Sequence, residues 1–242
     1  MSDPTRTSQS TRYATDPAGA AARTPAAAVA PTIRRPLAAA FRALVAAAAL
    51  TGLLLAALGS PAPAQLLTHF TVQANLALAL VSAGSAHRAW AGRRPVSPWI
   101  TGALLSFLAL PALIHHALPA ADATAFVLPD TGLPTTARAL SHHLLVTVTP
   151  LAALADWLLF TAPRGFRLSH AWQWPAYPLL YLAFTLALPT AAGAPPPTAA
   201  TGLTLALASF LLSLITIGID QVRPSPRLRK NRISPTGISP LK

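Results

Sequence analysis

The chain is built from apolar runs whose length matches one another and matches the roughly 20 residues that an α-helix needs to cross the hydrocarbon core of a bilayer. They extend over Leu37 to Leu58, Leu66 to Ala86, Pro98 to Leu118, Ser141 to Phe160, Trp172 to about Leu188, and Thr201 to Ile219. With 53% of its 242 residues hydrophobic and only 10% charged, the sequence is too apolar for an ordinary soluble domain. The expected fold is all-α, a polytopic membrane helix bundle with about six transmembrane helices.

Between the runs lie the charges. A formal net charge of +12 could point to nucleic acid, but a nucleic-acid surface gathers its cations on one patch or stripe, and here they sit in short clusters at the ends of apolar runs. Arg34 and Arg35 precede the first run, His87, Arg88, Arg93 and Arg94 follow the second, Arg164 and Arg167 follow the fourth, and Arg223, Arg227, Arg229, Lys230 and Arg232 follow the sixth. With a cytoplasmic N-terminus, all these clusters fall inside, and the outer loops keep only Arg138; this is the positive-inside asymmetry of membrane proteins. The charge therefore reads as topology. It implies a cell-membrane protein with both termini cytoplasmic and membrane lipids, not nucleic acid, as its surroundings, and it leaves the oligomeric state open.

Residues 1–36 are rich in Ser, Thr, Pro, Ala and Arg without hydrophobic periodicity, as in a disordered cytoplasmic tail. Residues 37–220 form the expected six-helix domain, in which Arg42 is close enough to the inner end of the first run to snorkel. Residues 221–242 form a basic tail interrupted by Pro224 and Pro226, expected to stay solvated. The first run also resembles a signal peptide, since Ala62-Pro63-Ala64 before Gln65 has the small residues of a cleavage site. Cleavage there would leave five helices in the same orientation. Trp172, Trp174, Tyr177 and Tyr181 open the fifth run in the manner of an interfacial aromatic belt. Arginine supplies sixteen of the eighteen basic residues, and with abundant alanine this points to a GC-rich bacterial genome.

The polar residues inside the runs are the functional candidates, because ionisable groups in a spanning helix cost a few kcal/mol and normally face the protein interior. Alternating helix directions bring His69, His115, His116, His142 and His143 to one outer membrane level. Interfacial seating of an amphipathic ring is the plain reading of any one of them. Thr71 and Asn75 share a helix face with Thr68, and Ser82 continues it. In the fourth run His142 shares a face with Val146, Thr149 and Asp156, and His143 shares one with Thr147. Asp156 lies about 21 Å from His142 along the helix, too far to orient it, and near the inner surface it is placed to pair with Arg164 or Arg167. No cysteine is present, which excludes disulfides, thiolate metal sites and cysteine nucleophiles, and all six acidic residues are aspartates.

Three stretches, His69 to Leu76, HFTVQANL, Pro150 to Phe160, PLAALADWLLF, and Trp174 to Ala183, WPAYPLLYLA, resemble the Pr6Pr family of bacterial integral membrane proteins. Usual forms in that family are close to YFTxxSNLL, PLLxLLDWLLF and YPLxYLxY. The resemblance covers about residues 37 to 220. That family is distantly similar to the androgen-induced proteins, six-helix membrane enzymes that hydrolyse fatty-acyl esters with a threonine nucleophile and a histidine. What this implies is a nucleophilic Thr71. The family's histidine is expected four residues before Pro150, where this chain has Val146; His142 and His143 lie one helical turn higher and would serve only in a site displaced by about 5 Å.

Three functions follow. The first is intramembrane hydrolysis of a fatty-acyl ester, with Thr71 attacking, His142 or His143 accepting its proton and Asn75 steadying the oxyanion, and with no cofactor. The second is a non-enzymatic membrane protein whose outer histidines bind Zn or Cu or sense pH. A small-solute transporter is the third, disfavoured because Asp156 is the only deep acid and no matched pair of broken helices appears.

The topology is directly measurable in this cysteine-free chain. Single cysteines near Pro63, Pro134 and Pro195 should react with an impermeant maleimide in intact cells, whereas those in the N-terminal tail, at Gly92, at Gly165 and at the C-terminus should not. Strong labelling at Gly165 would invert the fourth run and part His142 and His143 from Thr71.

Overall fold

The computed structural model describes residues 34–117, 126, 135–187 and 198–224, all within a compact unit that begins at Arg34. The expected tails, apart from their edges, and the loops carrying Asp122, Asp130, Pro134 and Pro195 lie outside the described residues, as do residues 188–190 at the end of the fifth run. The helices are α1 (Pro36–Leu58), α2 (Pro63–Leu66), α3 (Phe70–Trp90), α4 (Pro98–Ala117), α5 (Thr135–His143), a π-helical segment (Leu144–Val148), α6 (Thr149–Phe160), α7 (His170–Gln173), α8 (Ala176–Ala187) and α9 (Ala199–Val222). No strand occurs among the described residues.

Four helices are long and apolar enough to cross a membrane: α1, α4, the continuous rod Thr136–Phe160, and α9. The two other expected spans fall short for different reasons. Helix α3 has 21 residues but carries Thr71, Gln73, Asn75, Ser82, Ser85 and His87, which keep it outside that group. In the fifth run Pro175 removes a backbone donor and separates α7 from α8, whose 12 residues span about 18 Å, less than the hydrocarbon core.

Two stripes organise the bundle. On α1 the buried positions include Ala38, Arg42, Val45, Ala49, Gly52 and Ala56, and on α3 they include Thr71, Asn75, Leu78, Ser82, Ser85 and Ala89. Each follows the alternating four-and-three spacing of one helical face. Small residues let backbones approach closely where lipid provides no hydrophobic drive between helices, so α1 packs its alanine face on α3 and holds the Arg35 amide on the Ala89 carbonyl at 3.0 Å. At Gly52 α1 closes on the π-helical segment, with room for no methyl group beside Leu145, and Ser141 donates to the Gly52 carbonyl at 2.9 Å. Outer faces of the long helices expose leucines, among them Leu44, Leu54 and Leu58 on α1 and Leu203, Leu207 and Leu211 on α9, a surface suited to lipid.

Both carboxylates of the spanning region find arginines, though not those expected. Arg42 does not snorkel outward: its side chain is buried and its Nε donates to Asp156 Oδ1 at 2.8 Å, so Asp156 pairs with Arg42 on α1 and not with Arg164 or Arg167. Two charges in a poorly solvated interior attract each other far more strongly than either attracts a solvated neighbour. Asp220, fully buried near the end of α9, lies 3.3 Å from Arg223 and accepts the Phe166 amide at 2.9 Å. Arg223, expected in the solvated tail, instead donates to the carbonyls of Leu158 and Thr161, both at 2.8 Å, and so caps the C-terminus of α6, where helix carbonyls lack intrahelical partners. Its guanidinium lies 4.9 Å above the Trp157 ring, which stacks on Phe166.

The aromatic belt is also corrected in part. Trp172 is exposed, but Trp174 and Tyr181 are buried in the core. Trp174 fits over Gly102 so closely that a β-carbon there would come within 2.2 Å of the indole. Gly102→Ala should therefore destabilise the folded protein by about 1–3 kcal/mol through overpacking, read as a lowered unfolding temperature in detergent, whereas Gly84→Ala, which meets nothing within 4 Å, should not.

Candidate functional site

The polar centre of the bundle originates in Pro150. Proline has no N–H, and its ring clashes with the carbonyl four residues back, that of Val146. The chain meets this by widening: the Thr149 amide bonds to the Leu144 carbonyl, the five-residue spacing of a π-helix. In that spacing the donor for the Leu145 carbonyl would be the amide of residue 150, which proline lacks. An unpaired carbonyl in a membrane interior costs several kcal/mol.

Asn75 fills the gap from α3, with the Thr149 hydroxyl also 3.1 Å from the Leu145 carbonyl. Asn75 Nδ2 donates to the Leu145 carbonyl at 3.0 Å and to the Thr71 carbonyl at 2.9 Å, and its Oδ1 accepts the Thr149 hydroxyl at 2.6 Å. Two carbonyls beside one atom and a hydroxyl beside the other fix which end of the amide is which. Asn75, Thr71 and Thr149 are all completely buried. Both Asn75 amide protons are thus committed to carbonyls, and an oxyanion would have to displace one of them.

Thr71, the expected nucleophile, donates its hydroxyl to the Phe126 carbonyl at 2.5 Å. The Phe126 ring sits between Phe70 and Tyr181, with centroids 5.1 and 5.0 Å away, and the Tyr177 ring is 5.6 Å from that of Phe70. Tyr181 donates to the Thr68 carbonyl, and the Tyr177 hydroxyl bonds to Gln73, so α8 holds the start of α3. The Thr71 hydroxyl meets a carbonyl here and no imidazole. At the family's histidine position, Val146 is buried against an apolar group that includes Leu66, Val72 and Ala56.

The histidines gather elsewhere. His115 lies 4.7 Å, centroid to centroid, from both His116 and His142, while His143 is exposed at the end of α5 and His69 is buried at the start of α3. His116 Nε2 is 3.0 Å from the hydroxyl of Thr147. Thr147 sits inside the π-helical segment, so it occupies a direction that ordinary helical spacing does not assign. The chain thus contains a threonine–histidine pair, built from Thr147 and His116 rather than from Thr71 with His142 or His143. Among the described residues no group of three or more histidines and acids is arranged to hold a metal ion.

At the opposite, arginine-bearing end, a cavity of about 690 Å³ opens between α1, α3, α4 and α6, with Asp156, Arg42 and Ser82 on its wall. Thr71, His142 and His143 do not line it. No protein-family model, curated protein or solved structure matches the chain.

The role given to Asn75 is open to a double-mutant cycle. Asn75→Ala should cost about 1–2 kcal/mol by leaving the Leu145 carbonyl to the Thr149 hydroxyl alone, 3.1 Å away, and removing the amide that ties α3 to it. In a Pro150→Ala background, where residue 150 regains an N–H, the same change should cost markedly less. Equal costs in both backgrounds, measured by unfolding in detergent, would remove the link between Pro150 and Asn75.

Proposed function

We propose that this chain is an integral membrane protein of the Pr6Pr type, crossing the membrane six times with both termini cytoplasmic, and that it hydrolyses fatty-acyl esters through Thr147 and His116. The six crossings are supported by the seating of α3. Its buried stripe carries Thr71, Asn75, Ser82 and Ser85, while Leu76 and Leu80 are turned outward, so the helix hides its polarity from lipid.

One observation carries the catalytic reading: a threonine hydroxyl within 3.0 Å of an imidazole nitrogen, the separation that proton transfer from a nucleophile to its base requires. With Nδ1 protonated, His116 Nε2 takes the hydroxyl proton as Thr147 Oγ1 attacks the acyl carbonyl. The same proton passes to the departing alcohol, and a water molecule, deprotonated in turn, releases the acid from the threonine ester. Thr147 lies on a π-helical turn, a type of irregularity frequent at functional sites, and His116 reaches it from the end of α4.

A second reading, a non-enzymatic membrane protein, draws support from Thr71 and Asn75, whose hydrogen-bonding groups are spent on the protein's own backbone. Turnover of a branched fatty-acid ester by the purified protein, with labelling by a serine/threonine-directed fluorophosphonate, separates the two. Thr147→Val and His116→Ala should each lower turnover by at least about 100-fold, the scale of general-base catalysis, while Thr71→Val should act on stability. Activity that survives Thr147→Val but vanishes in Thr71→Val returns the nucleophile to Thr71. A wild-type protein with neither turnover nor label supports the non-enzymatic reading.

A further inference from the structure

The arginine-end cavity belongs to none of the chemistry above. Its volume of about 690 Å³ is in the range of ligand sites. Arg35, Arg42, Arg94 and Arg223 all reach it, against Asp156 as the acid on its wall. Asp156 is taken by Arg42, and Asp220 lies beside Arg223. That leaves Arg35 and Arg94 as cations with no carboxylate partner among the described residues; the bond made by Arg35 is to the Arg93 carbonyl, 3.1 Å away. The deeper wall is different in kind. Leu78, Leu104, Leu105 and Val45 line it, with Ser82 and Ser85 as its hydroxyls.

A cavity with unpaired guanidiniums at its mouth and leucines in its depth is complementary to a molecule with an anionic head and an alkyl chain. Guanidinium groups bind phosphate oxygens in pairs and lose less hydration in doing so than ammonium groups. Basic pockets between spanning helices are where anionic lipid headgroups are held. We propose that this cavity is a binding site for the phosphate headgroup of an anionic phospholipid, with Arg35 and Arg94 as its ligands and the leucine wall receiving the upper part of an acyl chain. The site stands independently of the hydrolase reading, since it shares no residue with Thr147 or His116.

The experiment uses the full chain, purified in detergent and measured by native mass spectrometry against phosphatidylglycerol, phosphatidylcholine and inorganic phosphate. Phosphatidylglycerol should bind at least about tenfold more tightly than phosphatidylcholine. Arg35→Gln with Arg94→Gln should lose that preference, while Arg167→Gln, outside the cavity, should keep it. Ser82→Phe, which fills the cavity and leaves all arginines in place, should also abolish binding, and it decides the matter if the double arginine variant does not fold. Equal binding of the two lipids, or a preference unchanged in the double arginine variant or in Ser82→Phe, overturns the proposal. Binding of inorganic phosphate that depends on Arg35 and Arg94, without discrimination between the lipids, overturns the lipid assignment and makes free phosphate the ligand.

Discussion

A backbone carbonyl in hydrocarbon has no water to turn to, and much of this bundle is arranged around one such group, that of Leu145. Pro150 withholds the amide that would serve it, the helix widens into a π-turn, and Asn75 reaches across from α3 to complete the bonding. The burial of Asn75 on α3 follows from that need. So does the direction of Thr147, which the widened turn brings to His116. A single missing hydrogen thus links helix docking to the placement of the Thr147 hydroxyl beside His116.

The charged pairs work on a different scale. Arg42 and Asp156 are neighbours only through the packing of α1 against α6, and each would be an uncompensated charge without the other. Breaking such a pair by removing one member commonly costs 3–5 kcal/mol, roughly, although the intact pair adds little over an apolar substitute. Its value lies in register. Sliding α1 by one residue along its neighbours would part the charges and drive the Gly52 face into Leu145.

Much of this architecture was legible in the sequence because bilayer thickness and helical rise leave few choices. Run length gave the helices, and three-and-four spacing correctly placed Thr71, Asn75 and Ser82 on one buried face. What escaped was set by distance along the chain or by departure from regular geometry. Asp156 lies 114 residues from Arg42, and nothing local favours that partner over Arg164. Ordinary helical spacing put Thr147 with His143, since a π-turn rotates whatever it carries and the sequence marks it only by a proline. Trp174 and Tyr181 share the amphipathic character of interfacial aromatics, and only their neighbours Gly102 and Phe70 draw them inward. Hydropathy counted six runs, whereas length and apolarity together admit four helices, because Pro175 and the polar face of α3 weaken the other two.

The way α9 ends bears on how the protein is made. The carbonyls that close α6, at Leu158 and Thr161, wait for a guanidinium more than 60 residues further along the chain, and the Phe166 backbone waits for Asp220 and Gln221. A ribosome delivers the earlier helices to the membrane well before that strap exists. During synthesis the turn after α6 must therefore pass through a period with its polar ends dependent on water or on the insertion machinery. The end of α9 is what seals it, so closure of this face of the bundle waits on the synthesis of Asp220, Gln221 and Arg223.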